Sequence, residues 1–519
     1  MHRFAYLGLA LIACSCFDAR AATFVVTRQD DPAPNGCNPG DCSLREAVNA
    51  ANSNSALGPR DIIQLAGVTY TLTAGVLSVD QDIEIAGAGS ANTQVLTNDE
   101  LIFTHTDGVA YYIHGLTMQP QGSQIRGSLE LDDVIVPAGG GDIFVGYSGD
   151  FTVSVEIRNS ILRTGLQFGQ KFGTCSITDS ELQSLTVHSN PPGPAITLLR
   201  MTMDGAVSNA YSGLDLWSAS AITIEDSVIA NTQFGLQYNS DDGHVPDQVS
   251  LRAVSYHGNK GPVLFYNPAV ITIADSDFRD NVTSSQSYHP DAPAAIWASY
   301  GSDWTISGST FASNTGAGDA GGAVRVEGGA HVLIENSTFS GNSFTAEAAA
   351  AHARGAAIGY RDDASITRVI LRHVTIAAPT ISAAGIFGTA VGGFGGESGL
   401  TLSLQNSILR GNCFLEAGAM DANVGNVESG GDTCDFGAGN LVNVSSADLA
   451  LGSLSDHGGP TETYLPGATS AALGAADPGL CTPRDQRGYQ RPYPDAEAGC
   501  DAGSVERGAE ERIFADGFD

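Results

Sequence analysis

Acidic side chains near arginines are the residues of this chain whose types and spacing could do chemistry. Asp241, Asp242 and Asp247 lie close together in a loop-like stretch, and Arg252 follows them. Carboxylates from adjacent turns of a repeat can hold Ca²⁺, and a nearby arginine can take the proton beside a sugar carboxylate. This group therefore fits calcium-assisted elimination on an acidic polysaccharide.

Two further groups offer pairs of carboxylates. Asp362 and Asp363 stand beside Arg361, and Asp275 precedes Asp280. Glycoside hydrolysis requires two carboxylates at a suitable separation, one of them with a raised pKa. All of these residues also fit solvated turns or outward strand positions, because Asp forms turns readily. The turn interpretation is favoured, so the sequence assigns no catalytic residue.

Three histidines lie near one another in the sequence, namely His244, His257 and His289. Imidazole is a common metal ligand, so a metal site is one interpretation. Their spacing is irregular and their neighbours are Gly, Pro and Asp, which favours histidines in exposed loops. No cofactor is firmly implied by the sequence. Calcium is the ion that its acidic residues would suit.

The elements that must position these side chains are short repeats. Residues 332–342 (VLIENSTFSGN) recur with variation at residues 304–314, 271–281, 222–231 and 402–412. Each copy alternates apolar and polar residues, bends at a small polar pair, offers a serine and closes on asparagine. Alternation with period two indicates strands, and copies about 20 to 35 residues apart indicate a solenoid. The repeat predicts a parallel β-helix, with an ordinary β-sandwich as the alternative.

Stacking of equivalent residues follows from this fold. Each strand would pair with its equivalent one turn away, at about 4.8 Å, so that like residues stack on like. Phe278, Phe311 and Phe339 are expected to form an apolar column inside the coil. The closing asparagines are expected to form a ladder at a bend, because Asn tolerates the left-handed conformation and its amide can bond to its neighbour's. The predicted ladder consists of Asn231, Asn281, Asn314, Asn342 and Asn412.

Composition limits the classes of partner. The chain has 519 residues, and a solenoid of that length grows by adding rungs without a second core. Acidic residues outnumber basic ones 57 to 24, for a formal net charge of −33. A surface this acidic argues against binding to nucleic acid or anionic lipid, since both need clustered Lys and Arg. We expect a monomer.

The first residues predict export. Residues 1–21 combine a basic Arg3, a short apolar run and an Ala-Arg-Ala cleavage site, as in a secretory signal peptide. The alternative is a lipoprotein box at residues 11–14, which would place a lipid on Cys14. No other run is long and apolar enough for a transmembrane helix. We expect the protein to be secreted or held at the outer cell surface.

Cysteine usage agrees with export, because disulfides persist in oxidising compartments. Spacing suggests three pairs of near neighbours and leaves Cys175 as a buried thiol, although six cysteines allow fifteen connectivities. The spacings do not match a zinc motif. The candidate disulfide residues are Cys37 with Cys42, Cys413 with Cys434, and Cys481 with Cys500.

One convincing helix precedes the repeats. Ser43 and Glu46 form a capping box, and the apolar residues that follow share one face. This helix is expected to cover the unpaired edges of the first rung. Its sequence, residues 42–52, resembles the CSLREA-type N-terminal domain of exported bacterial β-helix proteins. The resemblance implies a structural role, so Arg45 and Glu46 are interpreted as ion-pair and capping residues and not as a catalytic pair.

The C-terminal part is rich in Pro and Gly. Residues 449–508 resemble the choice-of-anchor Q domain that often closes CSLREA-type proteins, although residues 471–474 and 504–506 depart from its usual pattern. This segment is expected to cap the last rung, with Asp485, Arg487 and Arg491 in an ion-pair network. Residues 509–519 resemble tails of exported proteins of some Gram-negative bacteria, which implies a sorting signal; a disordered end is the alternative.

The resemblance implies a right-handed, pectate-lyase-like parallel β-helix with an N-terminal capping helix and a disulfide-stapled C-terminal cap. The expected organisation is a signal peptide at 1–21, an N-terminal cap at 22–60, the β-helix at 61–448, a C-terminal cap at 449–508 and a tail at 509–519. Proteins with this fold include polysaccharide lyases, hydrolases and adhesive rods. The chain lacks the sequence blocks of polygalacturonases and pectate lyases. A non-catalytic structural, adhesive or carbohydrate-binding rod is therefore favoured over a calcium-assisted lyase or glycosidase.

Overall fold

The protein forms one long coil of parallel strands. The computed structural model describes residues 21–508, except for 55–59, 98–102, 106–108, 120–122, 140–141, 147–151, 170–171, 192, 206–211, 241–242, 285–286, 318–320, 346–354, 362–365, 378–390, 395–399, 415–419 and 494–498. Strands pair in parallel with equivalent strands of the next rung, and they form three faces that we call sheets 1, 2 and 3. In the described part of the chain no helix is long and apolar enough to span a bilayer.

Sheet 1 contains the first strand of each rung. Several long strands begin in this sheet and bend into sheet 2. The strands of sheet 1 are Thr23–Val25, Asp61–Gln64, Ile83–Ala86, the first parts of Val109–Gln119 and Gly127–Val136, Val153–Arg158, Phe172–Thr178, Ala195–Leu199, Ala221–Glu225, Gln248–Arg252, Val270–Ala274, Asp303–Ser307, the first parts of His331–Ser340 and Thr367–Ala377, Leu400–Gln405 and Met420–Val424.

Sheet 2 follows the first bend of each rung, and its strands are mostly short. They are Thr69–Leu72, Gln94–Thr97, the second parts of the four long strands, the first parts of Ile161–Phe168 and Glu181–His188, Thr202–Asp204, Val228–Ala230, Ser255–His257, Asp277–Arg279, Thr310–Ala312, Ile408–Arg410, Val427–Ser429 and Leu441–Val444.

Sheet 3 closes each rung. Its strands are Leu77–Val79, Phe103–His105, Ser123–Ile125, Ile143–Val145, the ends of Ile161–Phe168 and Glu181–His188, Gly213–Trp217, Gly235–Asn239, Val263–Phe265, Ile296–Ala298, Val324–Val326, Ile358–Arg361, Val391–Phe394 and Cys413–Phe414. Outside the three sheets, Thr315–Ala317 pairs with Ser343–Thr345, and Leu451–Ser455 pairs antiparallel with Thr463–Pro466.

The bend between sheets 1 and 2 has a local cause. One residue there adopts a positive φ, as Asp226 (48°), Asp275 (53°) and Asn336 (44°) do, which Asn and Asp tolerate better than most residues. A serine follows, and its hydroxyl accepts a hydrogen bond from the backbone of the preceding rung. The Oγ of Ser309, for example, accepts from the N–H of Ser276 at 3.2 Å. The small polar pair in the repeat is therefore what turns the strand.

The predicted aromatic column lies inside the coil. The rings of Phe278 and Phe311 stack at 4.8 Å, and those of Phe311 and Phe339 at 4.6 Å. All three side chains are fully buried. Burial of such rings is a large part of the hydrophobic stabilisation that each rung contributes.

An asparagine ladder marks the bend between sheets 2 and 3. The Oδ1 of Asn314 accepts hydrogen bonds from the backbone N–H and Nδ2 of Asn281, and the Oδ1 of Asn342 accepts equivalent bonds from Asn314. Asn259, which the repeat pattern did not single out, continues the ladder, because its N–H donates to the Oδ1 of Asn281 at 2.9 Å. In the preceding rung Thr232 takes the equivalent place, and its N–H and hydroxyl donate to the Oδ1 of Asn259.

The prediction is wrong for two members of the ladder. Asn231 is exposed, and its Nδ2 bonds to Asp204. Its φ is 56°, so it occupies the left-handed position that lies one residue before the ladder position. This copy of the repeat is shifted by one residue, which is why Thr232 replaces it. Asn412 is exposed as well, so it cannot supply a buried rung of the ladder.

The N-terminal helix is Leu44–Ser53, and it packs over the first rungs with Leu44, Ala47, Val48 and Ala51 buried. Both halves of the capping box between Ser43 and Glu46 are present. Arg45 instead forms two hydrogen bonds to Asp31, at 2.8 and 2.9 Å. Arg45 and Glu46 therefore face different partners, and both have structural roles.

Three disulfides join near neighbours in the sequence: Cys37–Cys42, Cys413–Cys434 and Cys481–Cys500. Cys175 is a buried thiol inside a strand, and its burial raises its pKa to about 12. A thiol that is both buried and protonated is chemically inert at neutral pH.

The C-terminal segment, residues 446–508, covers more than the last rungs. It begins with the short helix Ser446–Leu449 and includes the 3₁₀ turn Pro478–Leu480. Its residues Leu449, Ala472 and Ala502 pack against the late strands of sheet 2. From there it extends back along the outside of sheet 2, where Glu462 contacts Arg279 at 2.7 Å. A segment expected as an end cap is thus also a cover for the flank of the coil.

Candidate functional site

A strip of aromatic and polar side chains follows the outer face of sheet 3. The register aligns Asp215, Gln237, Leu264, Trp297 and Arg325 in consecutive rungs. The residues that alternate with them, such as Leu216 and Tyr238, point into the core of the coil. The aligned residues therefore lie on the outer side of the sheet, where Gln237, Leu264 and Arg325 are nevertheless buried. We define the aromatic strip as Asp215, Trp217, Gln237, Tyr266, His289, Trp297, Tyr300, Arg325 and Glu327.

Trp217 is held at one end of the strip. Its indole Nε1 donates to Asp215 Oδ1 at 2.8 Å, and the other carboxylate oxygen lies 3.4 Å from His188 Nε2. The His188 and Trp217 rings meet edge to face with centroids 5.1 Å apart. Because its polar edge is bound within the strip, Trp217 has a fixed orientation and can present an apolar ring surface.

Trp297 is held in a similar way at the other end. Its Nε1 donates to Glu327 Oε1 at 2.7 Å, and the guanidinium of Arg325 lies 5.1 Å from the ring centroid. Arg325 also bonds to Glu327 and to the carbonyl of Asp291. Its side chain is only 6% exposed, so its charge is compensated within the protein.

The middle of the strip combines a phenol, an imidazole and an amide. Tyr266 Oη and His289 Nε2 lie 3.2 Å apart, and Gln237 Oε1 is 3.4 Å from the same nitrogen. The Tyr300 ring packs 5.5 Å from that of Tyr266, and Tyr300 is 46% exposed. His289 lies in the loop before the strand Ile296–Ala298, and its imidazole packs on the outer face of sheet 3.

Burial makes this middle part neutral. It lowers the pKa of His289 and raises the pKa values of Tyr266 and Tyr300. At neutral pH the imidazole is therefore uncharged and both phenols keep their protons. A tyrosine whose pKa is raised is a poor general base, because abstraction of a substrate proton requires the phenolate.

Among the described residues, the carboxylates that the sequence offered for calcium or hydrolysis do not come together. Asp275 and Asp280 lie at opposite ends of the strand Asp277–Arg279, at two different bends. Arg252 lies on sheet 1, where its guanidinium is paired with Glu225 at 3.2 Å, and Asp247 is exposed. The remaining members of those groups, Asp241, Asp242, Asp362 and Asp363, lie outside the described residues, as does the side chain of Arg361.

The three histidines also lie apart. His257 belongs to a strand of sheet 2, whereas His289 belongs to the aromatic strip on sheet 3. His244 lies in the loop after Tyr238, whose hydroxyl donates to the His244 carbonyl at 3.0 Å. They therefore do not share one metal site. The interpretation of His289 as an exposed loop residue is wrong, because neighbouring aromatic rings partly bury it.

A group of potential metal ligands does occur under the C-terminal segment. Among the described residues, the group that brings three such atoms within 4.8 Å of one another consists of His373, Cys481 and Cys500. The two sulfurs are bonded to each other, so they are not thiolate ligands. The group fits a disulfide packed against a buried histidine and not a metal centre.

The predicted ion-pair network of the C-terminal segment is present. Arg487 donates to Asp485 from Nε at 2.9 Å and from Nη2 at 2.8 Å, with both side chains buried. Arg491 contacts Glu506 at 3.6 Å and His373 at 2.7 Å. Burial raises the pKa of Glu506 to about 7, although Arg491 opposes this shift. The network joins the segment to the coil and does not line the aromatic strip.

Sequence reasoning missed most of the aromatic strip. Its members come from strands and loops separated by segments of unequal length, so no fixed spacing relates them. One signal was available: Trp217, Gln237 and Trp297 occupy outward positions in strands that otherwise alternate with apolar residues. Outward aromatic residues on a β-face are a recognised mark of binding surfaces.

Comparisons with known proteins concern the coil. The family model "Right handed beta helix region" matches residues 204–376, which include the whole strip. The chain is also similar to the crystal structure of pectate lyase Pel9A, at 12% identity and a TM-score of 0.22, over 94% of this chain and 98% of that chain. No curated protein matches this sequence. The strand pairing and the family model confirm the predicted right-handed parallel β-helix.

Proposed function

We propose that this right-handed β-helix is an exported, non-catalytic protein that binds polysaccharide on the aromatic strip. The observation that carries the proposal is the fixed presentation of Trp217 and Trp297 on an outer β-face, each with its indole N–H bound to a neighbouring carboxylate. Rings held this way lose little conformational entropy when a sugar stacks on them. In the rung of Trp297, Tyr300 adds an exposed ring and a hydroxyl that can bond to sugar hydroxyls.

Export supports this role without being part of the site. The N-terminal residues have the pattern of a signal peptide, and three disulfides suit an oxidising compartment. A rod with a long lateral face suits binding to a polymer outside the cell. The CSLREA-like and choice-of-anchor Q-like ends and the C-terminal tail belong to the same proposal of secretion or surface attachment.

Elimination on a polyuronate is the second candidate. It is favoured by the contact between Tyr266 and His289, with Arg325 nearby on the same face, because a base and a cation are what such a reaction needs. The protonated state of Tyr266 and the paired charge of Arg325 favour polysaccharide binding over elimination. The pKa of Tyr266 is raised, and the charge of Arg325 is compensated by Glu327.

Co-sedimentation with insoluble polysaccharides tests the proposal. The wild-type chain is expected to bind, and Trp297→Ala is expected to weaken binding at least about tenfold, as for loss of a well-packed aromatic contact. Tyr112→Ala is the matched control, because Tyr112 is an outward aromatic residue of sheet 1. Equal loss in both variants, or binding that neither change affects, would contradict the proposed site.

An assay for unsaturated sugar products separates the second candidate. Polygalacturonate and alginate are incubated with the chain, with and without Ca²⁺, and absorbance of the new double bond is followed. Binding without product is the expected result. Product formation that Tyr266→Phe abolishes would replace the binding proposal with an elimination reaction.

A further inference from the structure

We infer that the ligand of the aromatic strip is an uncharged polysaccharide whose chain runs parallel to the axis of the coil, from rung to rung. This inference rests on the proposed function and names the class of glycan. It depends on two independent features of the strip: the state of its charges and the direction in which its rings follow one another.

The charges of the strip do not suit an acidic sugar. Proteins bind sugar carboxylates through an accessible guanidinium or through Ca²⁺ held by oxygen ligands. Arg325 is nearly fully buried and bonds to Glu327 and the Asp291 carbonyl. Burial lowers the pKa of His289, so its ring carries no charge at neutral pH.

The exposed charge that remains on the strip is negative, so it repels polyanions. Asp215 lies at the Trp217 end of the strip with its side chain 20% exposed. The chain as a whole carries a formal charge of −33, and a field of this sign lowers the local concentration of an acidic polymer. An uncharged glycan meets no such penalty, and its hydroxyls can bond to the hydroxyl of Tyr300, whose side chain is exposed.

The direction of the ligand follows from the register. Four consecutive rungs of sheet 3 carry the strip from Trp217 to Trp297. The first rung contains Trp217, the second Gln237, the third Tyr266 and the fourth Trp297. Consecutive rungs are about 4.8 Å apart, so the strip extends about 14 Å along the axis from Trp217 to Trp297. One rung corresponds closely to one pyranose of an extended β-linked chain. Across the sheet the strands are only three to five residues long, which gives a ligand less length to follow.

Isothermal titration of the full chain tests the class of glycan. Soluble uncharged glycans (β-glucan, mannan and xylan) are compared with polygalacturonate and alginate, with and without Ca²⁺. We expect an uncharged glycan to bind more tightly than either polyuronate and to keep its affinity in about 0.5 M NaCl, since no charge pair is screened. Trp217→Ala and Trp297→Ala are each expected to lower that affinity at least about tenfold.

Oligosaccharide length tests the direction. A hexasaccharide spans the rungs of Trp217 and Tyr300, so Trp217→Ala and Tyr300→Ala should both weaken it. A disaccharide should respond to at most one of the two changes. Tyr300 is exposed, so its replacement should leave folding intact, and circular dichroism checks this. A hexasaccharide that responds to only one of the two changes would overturn the axial direction.

The other outcomes separate this inference from the proposed function. Tighter binding of a polyuronate that Trp217→Ala weakens would overturn the uncharged class and keep the strip as a binding site. Binding of no glycan at all would overturn both. Binding of an uncharged glycan that Tyr112→Ala weakens and the strip variants leave intact would move the site to sheet 1 and overturn both as stated.

Discussion

At the residue scale, the bends of the rungs depend on amides that bond to one another. Asn314 donates from Nδ2 to the carbonyl of Phe278 and to Asn342, and it accepts from Asn281. These atoms are fully buried, so each bond replaces one that water would otherwise make. The ladder is therefore a stabilising feature whose members cannot be replaced by apolar residues of similar size.

Asn314→Ala is expected to lower the free energy of unfolding by about 2 to 3 kcal/mol, because it leaves the buried N–H of Asn281 and the carbonyl of Phe278 without their partner. Chemical denaturation measures the effect. Asn231→Gly is the control, since Asn231 is exposed and glycine keeps its left-handed φ of 56°; a change within about 0.5 kcal/mol is expected there. Equal costs at both sites would contradict a buried ladder that excludes Asn231.

The raised pKa of Glu506 predicts that the stability of the protein depends on pH. The pKa of Glu506 is raised by burial to about 7. Its carboxylate lies 3.6 Å from Arg491 and accepts hydrogen bonds from the backbone N–H groups of Asp501 and Tyr493. The folded state binds its proton more tightly than the unfolded state, so this contribution is complete below the ordinary glutamate pKa and is lost as the pH rises through about 7. The contribution of Glu506 to stability should therefore be larger at about pH 5 than at about pH 8.

Glu506→Gln tests this prediction. The substitution removes the titration, so the difference in melting temperature between the wild type and the variant should change between the two pH values. The wild type should gain relative to the variant at low pH. A difference that stays constant across the range would show that the Glu506 carboxyl titrates normally.

At the element scale, the C-terminal segment is attached to sheet 2 by polar contacts as well as by apolar packing. Gln486 accepts from the hydroxyl of Thr338 at 2.6 Å and donates to Thr310 and Thr461 at 3.0 and 2.9 Å. Ser504 and Tyr464 make further bonds to Thr375 and Ser340. The hydroxyls of sheet 2 would otherwise face water, so hydrogen bonds to the segment satisfy them.

Gln486→Ala is expected to loosen this contact and to cost about 2 kcal/mol, because it removes the buried hydrogen bonds of Gln486 with Thr338 and Thr310. Hydrogen exchange should increase in residues 461–466 and in the strands that they cover, while sheet 3 should stay protected. Arg484→Ala is the control, because Arg484 lies in the same segment with an exposed side chain that bonds to the Gly488 carbonyl. Unchanged exchange in the glutamine variant would contradict the docking of the segment.

At the scale of the whole molecule, the two ends of the coil are unequal. The N-terminal helix lies on the first rungs, and Arg45 ties it to Asp31, whose carboxylate also accepts from the backbone of Thr73 and Ala74. An open end of a β-helix would present unpaired backbone groups to other chains. The helix therefore protects the end that begins the coil, as terminal repeats do in other solenoids.

Deletion of residues 22–60 is expected to expose the edge of Asp61–Gln64 and to cause association or aggregation. Light scattering after chromatography measures the molar mass. Ala47→Arg is a milder change that is also expected to cause association, because Ala47 is fully buried on the face of the helix that packs against the coil. Deletion of residues 509–519 is the control and should leave the oligomeric state unchanged. A variant that lacks residues 22–60 and keeps the oligomeric state and melting temperature of the wild type would contradict a protective role.

The sequence by itself determined the features that depend on near neighbours in the chain. Alternation with period two, the small polar pair at each bend and the closing asparagine are local, so they predicted the strands, the coil and three members of the ladder. The capping box and the disulfide partners are also close in sequence, and the structure contains them. Even here a shift of one residue at Asn231 escaped the pattern, because only the backbone angle distinguishes the bend position from the ladder position.

The tertiary structure alone decided which distant residues meet. Glu462 reaches Arg279 across 183 residues, and no local pattern predicts that the C-terminal segment turns back along sheet 2. The aromatic strip has the same origin, since the loops between its strands differ in length and the register of the rungs sets which side chains align. Strand pairing fixes that register through contacts between whole rungs, so residues such as Trp217 and Trp297 become a surface only when the coil is complete.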